Sequence, residues 1–121
     1  MNCYHFLSLF LICSFLIKNP AFAEPSGKKI FRNNCAACHG ENAVGNEKLK
    51  ELVNGDISKL DLTSTKTALK KDVDLENTIL RGRGNMPSFK SIFPKKDLRE
   101  VVQYIRHLQG DKLIKQTARC D

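Results

Sequence analysis

Five consecutive residues, Cys35-Ala36-Ala37-Cys38-His39, constrain this chain more than any other feature of it. On a helical turn, residues three and four apart share one face. Cys35, Cys38 and His39 are spaced in that way, so two thiols and an imidazole can address one ligand together. C-x-x-C-H is the attachment pattern of c-type haem. Two thioethers would hold one edge of the porphyrin, and His39 would reach the iron from below the ring. A haem held covalently is not lost on dilution, and it supplies an apolar centre that a small chain with no Trp can fold around.

Two other chemistries use cysteine and histidine. A structural zinc site needs four ligands; Cys120 or His107 would have to complete the set, and there is no second C-x-x-C. A thioredoxin-like dithiol expects a βαβ setting, and the chain shows no such alternation. A haem ligated on one side by His39 needs a second ligand far along the sequence. Met86 is the only methionine after Met1 and lies in Gly82-Arg83-Gly84-Asn85-Met86-Pro87-Ser88-Phe89. That loop is stiffened by Gly and Pro, an unusual place for a core-filling Met. His107 is the competing ligand, but it falls off the apolar stripe of its helix. His/Met ligation raises the potential of haem iron and leaves no open position, which suits electron transfer better than oxygen chemistry.

Residues 1–23 read as a cleaved export signal. Phe6–Ile17 is an apolar run, Lys18-Asn19-Pro20 interrupts it, and Ala21-Phe22-Ala23 is an A-x-A cleavage pattern. A membrane span needs roughly 20 apolar residues, so no stable anchor is expected. The leader departs from the usual pattern in having no Lys or Arg ahead of the apolar run, and an uncleaved anchor is the alternative. Cleavage would leave residues 24–121 as a single monohaem domain. Cys3 and Cys13 would leave with the signal; Cys35, Cys38 and Cys120 would remain. An odd count in an exported chain is not a disulfide framework. Cys120, next to the carboxyl terminus, is expected as a free thiol on a monomer, with a cross-linked dimer as the alternative.

The whole chain has 20 basic and 13 acidic residues, and removal of Lys18 would lower its net charge from +7 to +6. Such a surface suits nucleic acid, membrane or an acidic protein. Export argues against nucleic acid and leaves redox proteins with acidic docking surfaces as the expected partners.

The coarse pattern is all-α. A first helix is expected from Ser26-Gly27 to about Cys38, then a loop over Gly40–Gly45. A short helix is expected over Glu47–Val53, ending at Asn54-Gly55. Asp56–Lys71 is ambiguous, with turn residues and room for one short helix. Asp72 is a candidate cap for a helix with Leu75, Ile79 and Leu80 on one face and Gly82 as its stop. The clearest helix is the last, Pro94–Gln109, with Gly110 beyond its end. Leu98, Val101, Val102, Ile105 and Leu108 form its apolar stripe.

Together these blocks resemble the class I cytochrome c family, in particular small monohaem c-553 and c6-like members. The blocks are Gly27-Lys28-Lys29-Ile30-Phe31 leading to Cys35-Ala36-Ala37-Cys38-His39-Gly40, then Gly84–Phe89, then Val101-Val102-Gln103-Tyr104-Ile105. The resemblance implies a cytochrome c fold of four to five short helices around one haem c, with the first and last helices crossing. Gly27 and Phe31 would pack against Val101 and Tyr104. Cys35 and Cys38 would hold the haem, His39 its proximal side and Met86 its distal side. Arg81 and Arg83 are candidate propionate partners. In many members a proline carbonyl steadies the proximal imidazole; here no proline occurs between His39 and Met86, so another backbone carbonyl must serve.

The expected function is a one-electron carrier in the periplasm, or in the thylakoid lumen of a photosynthetic source, rather than an enzyme. Lys28, Lys29, Arg32, Lys90, Lys95 and Lys96 would steer acidic partners. A haem subunit of a larger oxidoreductase, such as a dehydrogenase or sulfur-oxidising complex, is the first alternative. A haem-based ligand sensor is the second.

Overall fold

The computed structural model describes residues 26–117, with side chains through residue 112. The expected signal peptide at residues 1–23, and Cys120, lie outside the described residues. Among the described residues five α-helices follow in order: α1 Ser26–Asn34, α2 Ala36–His39, α3 Thr65–Ala68, α4 Asp72–Arg81 and α5 Lys95–Thr117. Two 3₁₀ segments, Glu47–Val53 and Ile57–Leu60, lie between α2 and α3. No β-strand occurs among the described residues; a single antiparallel bridge joins Arg83 and Met86. This is the all-α fold expected.

The contact between α1 and α5 organises the core. Phe31 and Val101 are fully buried, and Val102, Leu98 and Ile105 nearly so. The Phe31 and Tyr104 rings meet edge to face with centroids 5.5 Å apart, a favoured aromatic geometry. Gly27 makes the approach possible: a Cβ there would collide with the backbone carbonyl of Glu100 and lie 3.2 Å from Tyr104 Cβ. Leu75 and Ile79 of α4 join this core, as do Phe89 and Phe93, whose rings stack at 5.1 Å.

Several boundaries differ from the sequence pattern. The first helix is interrupted at Cys35, where φ is −118°. Asp72 is not a cap: Lys71 occupies the N-cap without a side-chain bond and Asp72 is the first helical residue, its carboxylate paired with Arg106 of α5 at 2.8 Å. The ambiguous stretch Asp56–Lys71 holds two short helices rather than one, each capped by a side chain. Asp56 accepts from Ser58 N–H, and Ser64 accepts from Thr67 N–H. Finally, α5 does not stop before Gly110 but continues to Thr117. Side chains on both sides of Gly110, Gln109 and Lys112, bond to the segment around Leu62, which favours continuation of the helix.

Candidate haem-binding site

The Cys35–His39 turn is continuous in hydrogen bonding with α1 despite the kink: Cys35 N–H donates to Phe31 O at 2.8 Å and His39 N–H to Cys35 O at 2.9 Å. A helix end leaves its last four carbonyls without intrahelical partners. All four of these are met by the loop that follows. Ala36 O accepts from Gly40 N–H, His39 O from Gly45 N–H and Cys38 O from Asn46 N–H, while Asn46 Nδ2 donates to Ala37 O at 2.8 Å. The turn is therefore held as a rigid unit.

Cys35 is buried and Cys38 half-buried, and both are free thiols. Burial, reinforced by the nearby Cys38, pushes the Cys35 thiol up to about 11. Cys35 is thus held as a neutral thiol rather than a thiolate.

His39 is half-buried, with its Nδ1 2.8 Å from the backbone carbonyl of Leu60. A carbonyl only accepts, so Nδ1 carries the proton and the Nε2 lone pair remains for a metal. Burial lowers the imidazole pKa, partly opposed by the bond to Leu60; both the tautomer and the neutral state are those a metal needs. The carbonyl expected in place of a proline's is that of Leu60, at the end of the second 3₁₀ segment.

Met86 sits in a tight turn closed by paired backbone bonds, Arg83 N–H to Met86 O at 3.1 Å and Met86 N–H to Arg83 O at 3.0 Å. Three further bonds fix the loop. Ser88 Oγ donates to Leu80 O at 2.6 Å, Phe89 N–H to Ile79 O at 3.1 Å, and Asn85 Nδ2 to Leu52 O at 2.8 Å. The first two use carbonyls at the end of α4; the third reaches the first 3₁₀ segment. Gly82, at φ +72°, is needed for this return, since a Cβ would lie 2.5 Å from Met86 O and 2.8 Å from Pro87 C. Met86 is half-buried and packs on the core.

The competing residues lie elsewhere. His107 is on the exposed face of α5, with Nε2 3.4 Å from Asp111 and its ring against Tyr104. Among the described residues no cluster of three or more His, Cys, Asp or Glu could hold a metal ion; Cys120, the other residue the zinc alternative names, lies outside them. Arg81 and Arg83 are exposed beside the Met86 loop.

Sequence reasoning missed a set of supporting residues on α5. Arg106 binds Asp72, Ala68 O, Lys70 O and Gln109. Gln109 reaches Leu62 O, and Lys112 reaches Asp61 and Thr63. Their spacing of three beside the apolar stripe was the available signal, but Lys112 fell beyond the expected end of the helix.

The donor chemistry fits a haem. It comprises two thiols on one helical turn, an imidazole with its metal-facing nitrogen free, and a soft thioether in a rigid loop. Such a fold and donor set define a c-type cytochrome domain of class I. The chain belongs to the cytochrome c family, matching over residues 23–105 the family described as cytochrome c oxidase, cbb3-type, subunit III. Members of this family bind covalently attached haem c, and their role is electron transfer. The chain is 31% identical to the cbb3-type cytochrome c oxidase subunit FixP of Azorhizobium caulinodans, over 77% of this chain and 33% of that protein. It is 34% identical to the cbb3-type cytochrome c oxidase subunit CcoP of Rubrivivax gelatinosus, over 78% of this chain and 29% of that protein. It is 31% identical to cytochrome c6 of Synechocystis, over 80% of this chain and 77% of that protein. The chain thus spans about a third of the length of the oxidase subunits and most of cytochrome c6. No solved structure matches it.

Proposed function

We propose that this protein is an exported one-electron carrier holding a single haem c, attached through Cys35 and Cys38, with His39 and Met86 as the axial ligands. The observation that carries the reading is the bond from His39 Nδ1 to Leu60 O. It fixes both the tautomer and the ring orientation of the residue that follows the two cysteines. When bound, the haem supplies the redox couple. The chain's own part is to hold the ligands still, so that little rearranges when an electron moves, and to tune the potential through the surroundings of those ligands. His39 presents Nε2, Met86 presents its sulfur from a loop tied at three places, and the half-buried Cys38 marks the edge nearest the surface.

Export through residues 1–23, and a periplasmic or lumenal location, belong to this reading. No helix among the described residues is long and apolar enough to cross a membrane. Exposed Lys29, Lys90, Lys95 and Lys96 suit transient docking of acidic redox proteins and raise the encounter rate.

A second reading, a haem subunit of an oxidoreductase complex, is favoured by the cbb3-type relatives. The exposed apolar side chains Leu69, Val73 and Ile92 are also what a covered subunit face would offer.

The test is expression of the full chain in a host competent for cytochrome c maturation, followed by a visible spectrum. The expected protein is red, survives denaturation with its haem attached, and shows in the oxidised form the weak red-edge band of sulfur-to-iron ligation. Met86→Ala should abolish that band. A colourless product with both thiols free refutes the site. Co-purification as a fixed complex from the native source would select the second reading over the first.

A further inference from the structure

Arg106, Gln109 and Lys112 lie along one face of α5 and reach the segment directly after Leu60. Gln109 is 5% exposed, and its amide can face only one way. Arg106 Nη1 donates to Gln109 Oε1 at 2.9 Å, and a guanidinium has donors only. The amide nitrogen is therefore left to donate to Leu62 O, at 2.8 Å. Lys112 Nζ donates to Asp61 Oδ2 at 3.1 Å and to Thr63 Oγ1 at 2.8 Å. Asp61 Oδ1 in turn accepts from Thr63 N–H and its hydroxyl. From the other side, Leu62 N–H donates to Ala43 O at 2.8 Å, in the loop that caps the Cys35–His39 turn. Residues 61–63 are thus clamped between α5 and that loop. Leu60, whose carbonyl accepts from His39, is the residue immediately before the clamp.

We propose that Gln109 is a positioning residue for the proximal imidazole: by fixing Leu62 from α5 it holds the Leu60 carbonyl on His39 Nδ1 and so sets the donor strength of Nε2. This rests on the reading of His39 as the iron ligand. A ligating histidine whose other N–H is firmly bonded is the more basic donor, and a more basic donor favours ferric iron. Loosening the clamp weakens the bond to Leu60 and raises the midpoint potential. A wholly structural Gln109 would change stability and leave the potential where it is.

Gln109→Leu and Gln109→Met test this in the haem-loaded protein; both remove the bonds to Arg106 and Leu62 without changing the charge. Gln103→Gly, at an exposed position of the same helix, is the control for lost stability alone. The readouts are the midpoint potential and solvent exchange of the His39 Nδ1 proton, followed through its paramagnetically shifted resonances. Both Gln109 variants are expected to raise the potential and to speed exchange by about tenfold, as loss of a buried hydrogen bond would, with Gln103→Gly moving neither. Thr63→Val, which removes the hydroxyl between Lys112 and Asp61 at unchanged charge, should shift both in the same direction by less, and it carries the test if the Gln109 variants fail to load haem. Potentials and exchange rates equal to the parent's, with shifted His39 resonances still present, overturn the proposal and leave the ligand reading standing. Absence of those shifted resonances in the parent protein overturns both.

Discussion

Replacing Gly27 by alanine should destabilise the protein although alanine is the better helix former. Gly27 lies in the first turn of α1, where a Cβ would fall inside the Glu100 carbonyl, closer than the ~3.3 Å of the tightest ordinary C–H···O contacts. The obstacle is backbone in the middle of α5 rather than the tip of a movable side chain, so the helices must separate. Over-packing of this kind costs about 1–3 kcal/mol, and separation also weakens the Phe31–Tyr104 pair, a geometry worth ~1 kcal/mol. Against this, Gly to Ala in a helix gains at most about 1 kcal/mol. The net expectation is a loss of roughly 2 kcal/mol, or about 10 °C in Tm for a domain of this size. The assay is thermal unfolding followed by far-ultraviolet circular dichroism on the haem-loaded protein. Gly110→Ala makes the same chemical change inside α5, where a Cβ meets nothing within 4 Å. It should raise stability by roughly 0.5–1 kcal/mol. If Gly27→Ala raised Tm as Gly110→Ala does, the close contact of α1 on α5 would be refuted.

Arg106→Lys should recover little of the stability that Arg106→Ala loses. One planar guanidinium serves Asp72, Gln109 and two carbonyls, a fork that an ammonium cannot copy; chemical denaturation of the two variants compares them, with the alanine loss expected near ~2 kcal/mol. Asp61 gives a pH dependence. Burial alone would raise its pKa, but hydrogen bonds from Thr63 and Lys112 outweigh that and hold it below 3.8. A carboxylate with a depressed folded-state pKa stabilises the fold above its unfolded value and loses that contribution as pH falls through the folded one. Stability should therefore fall below about pH 4, and Asp61→Asn should flatten that part of the profile in acid titrations. Electron transfer to an acidic partner should slow as ionic strength rises, with Lys95→Glu and Lys96→Glu reducing the dependence in stopped-flow measurements; a flat salt profile would refute steering by this face.

What the sequence made legible was local. Cys35, Cys38 and His39 could be assigned to one turn because their spacing alone puts them on one face. The stripe Leu98, Val101, Val102 and Ile105 could be assigned to a core because it repeats at the helical period, and all four are buried. Residues 56–71 could not be read in the same way. Their short helices have little apolar periodicity of their own and are held instead by Arg106, Gln109 and Lys112, some 35–50 residues away. For the same reason the carbonyl behind His39 could be expected but not named, since Leu60 reaches it through tertiary closure across 21 residues. Ala43, fully buried at φ +59°, carried no turn signal either, yet its carbonyl holds Leu62. The end of α5 was misjudged because glycine disfavours a helix by about 1 kcal/mol, whereas the bonds made by Gln109 and Lys112 reward continuing through it. The cysteines, the histidine and the methionine proposed to hold the haem sit where that chemistry would impose a motif. The groups that orient the histidine sit where only the folded chain brings them together, so variation among related cytochromes in the 56–71 segment should alter potential more readily than it alters the ligand set.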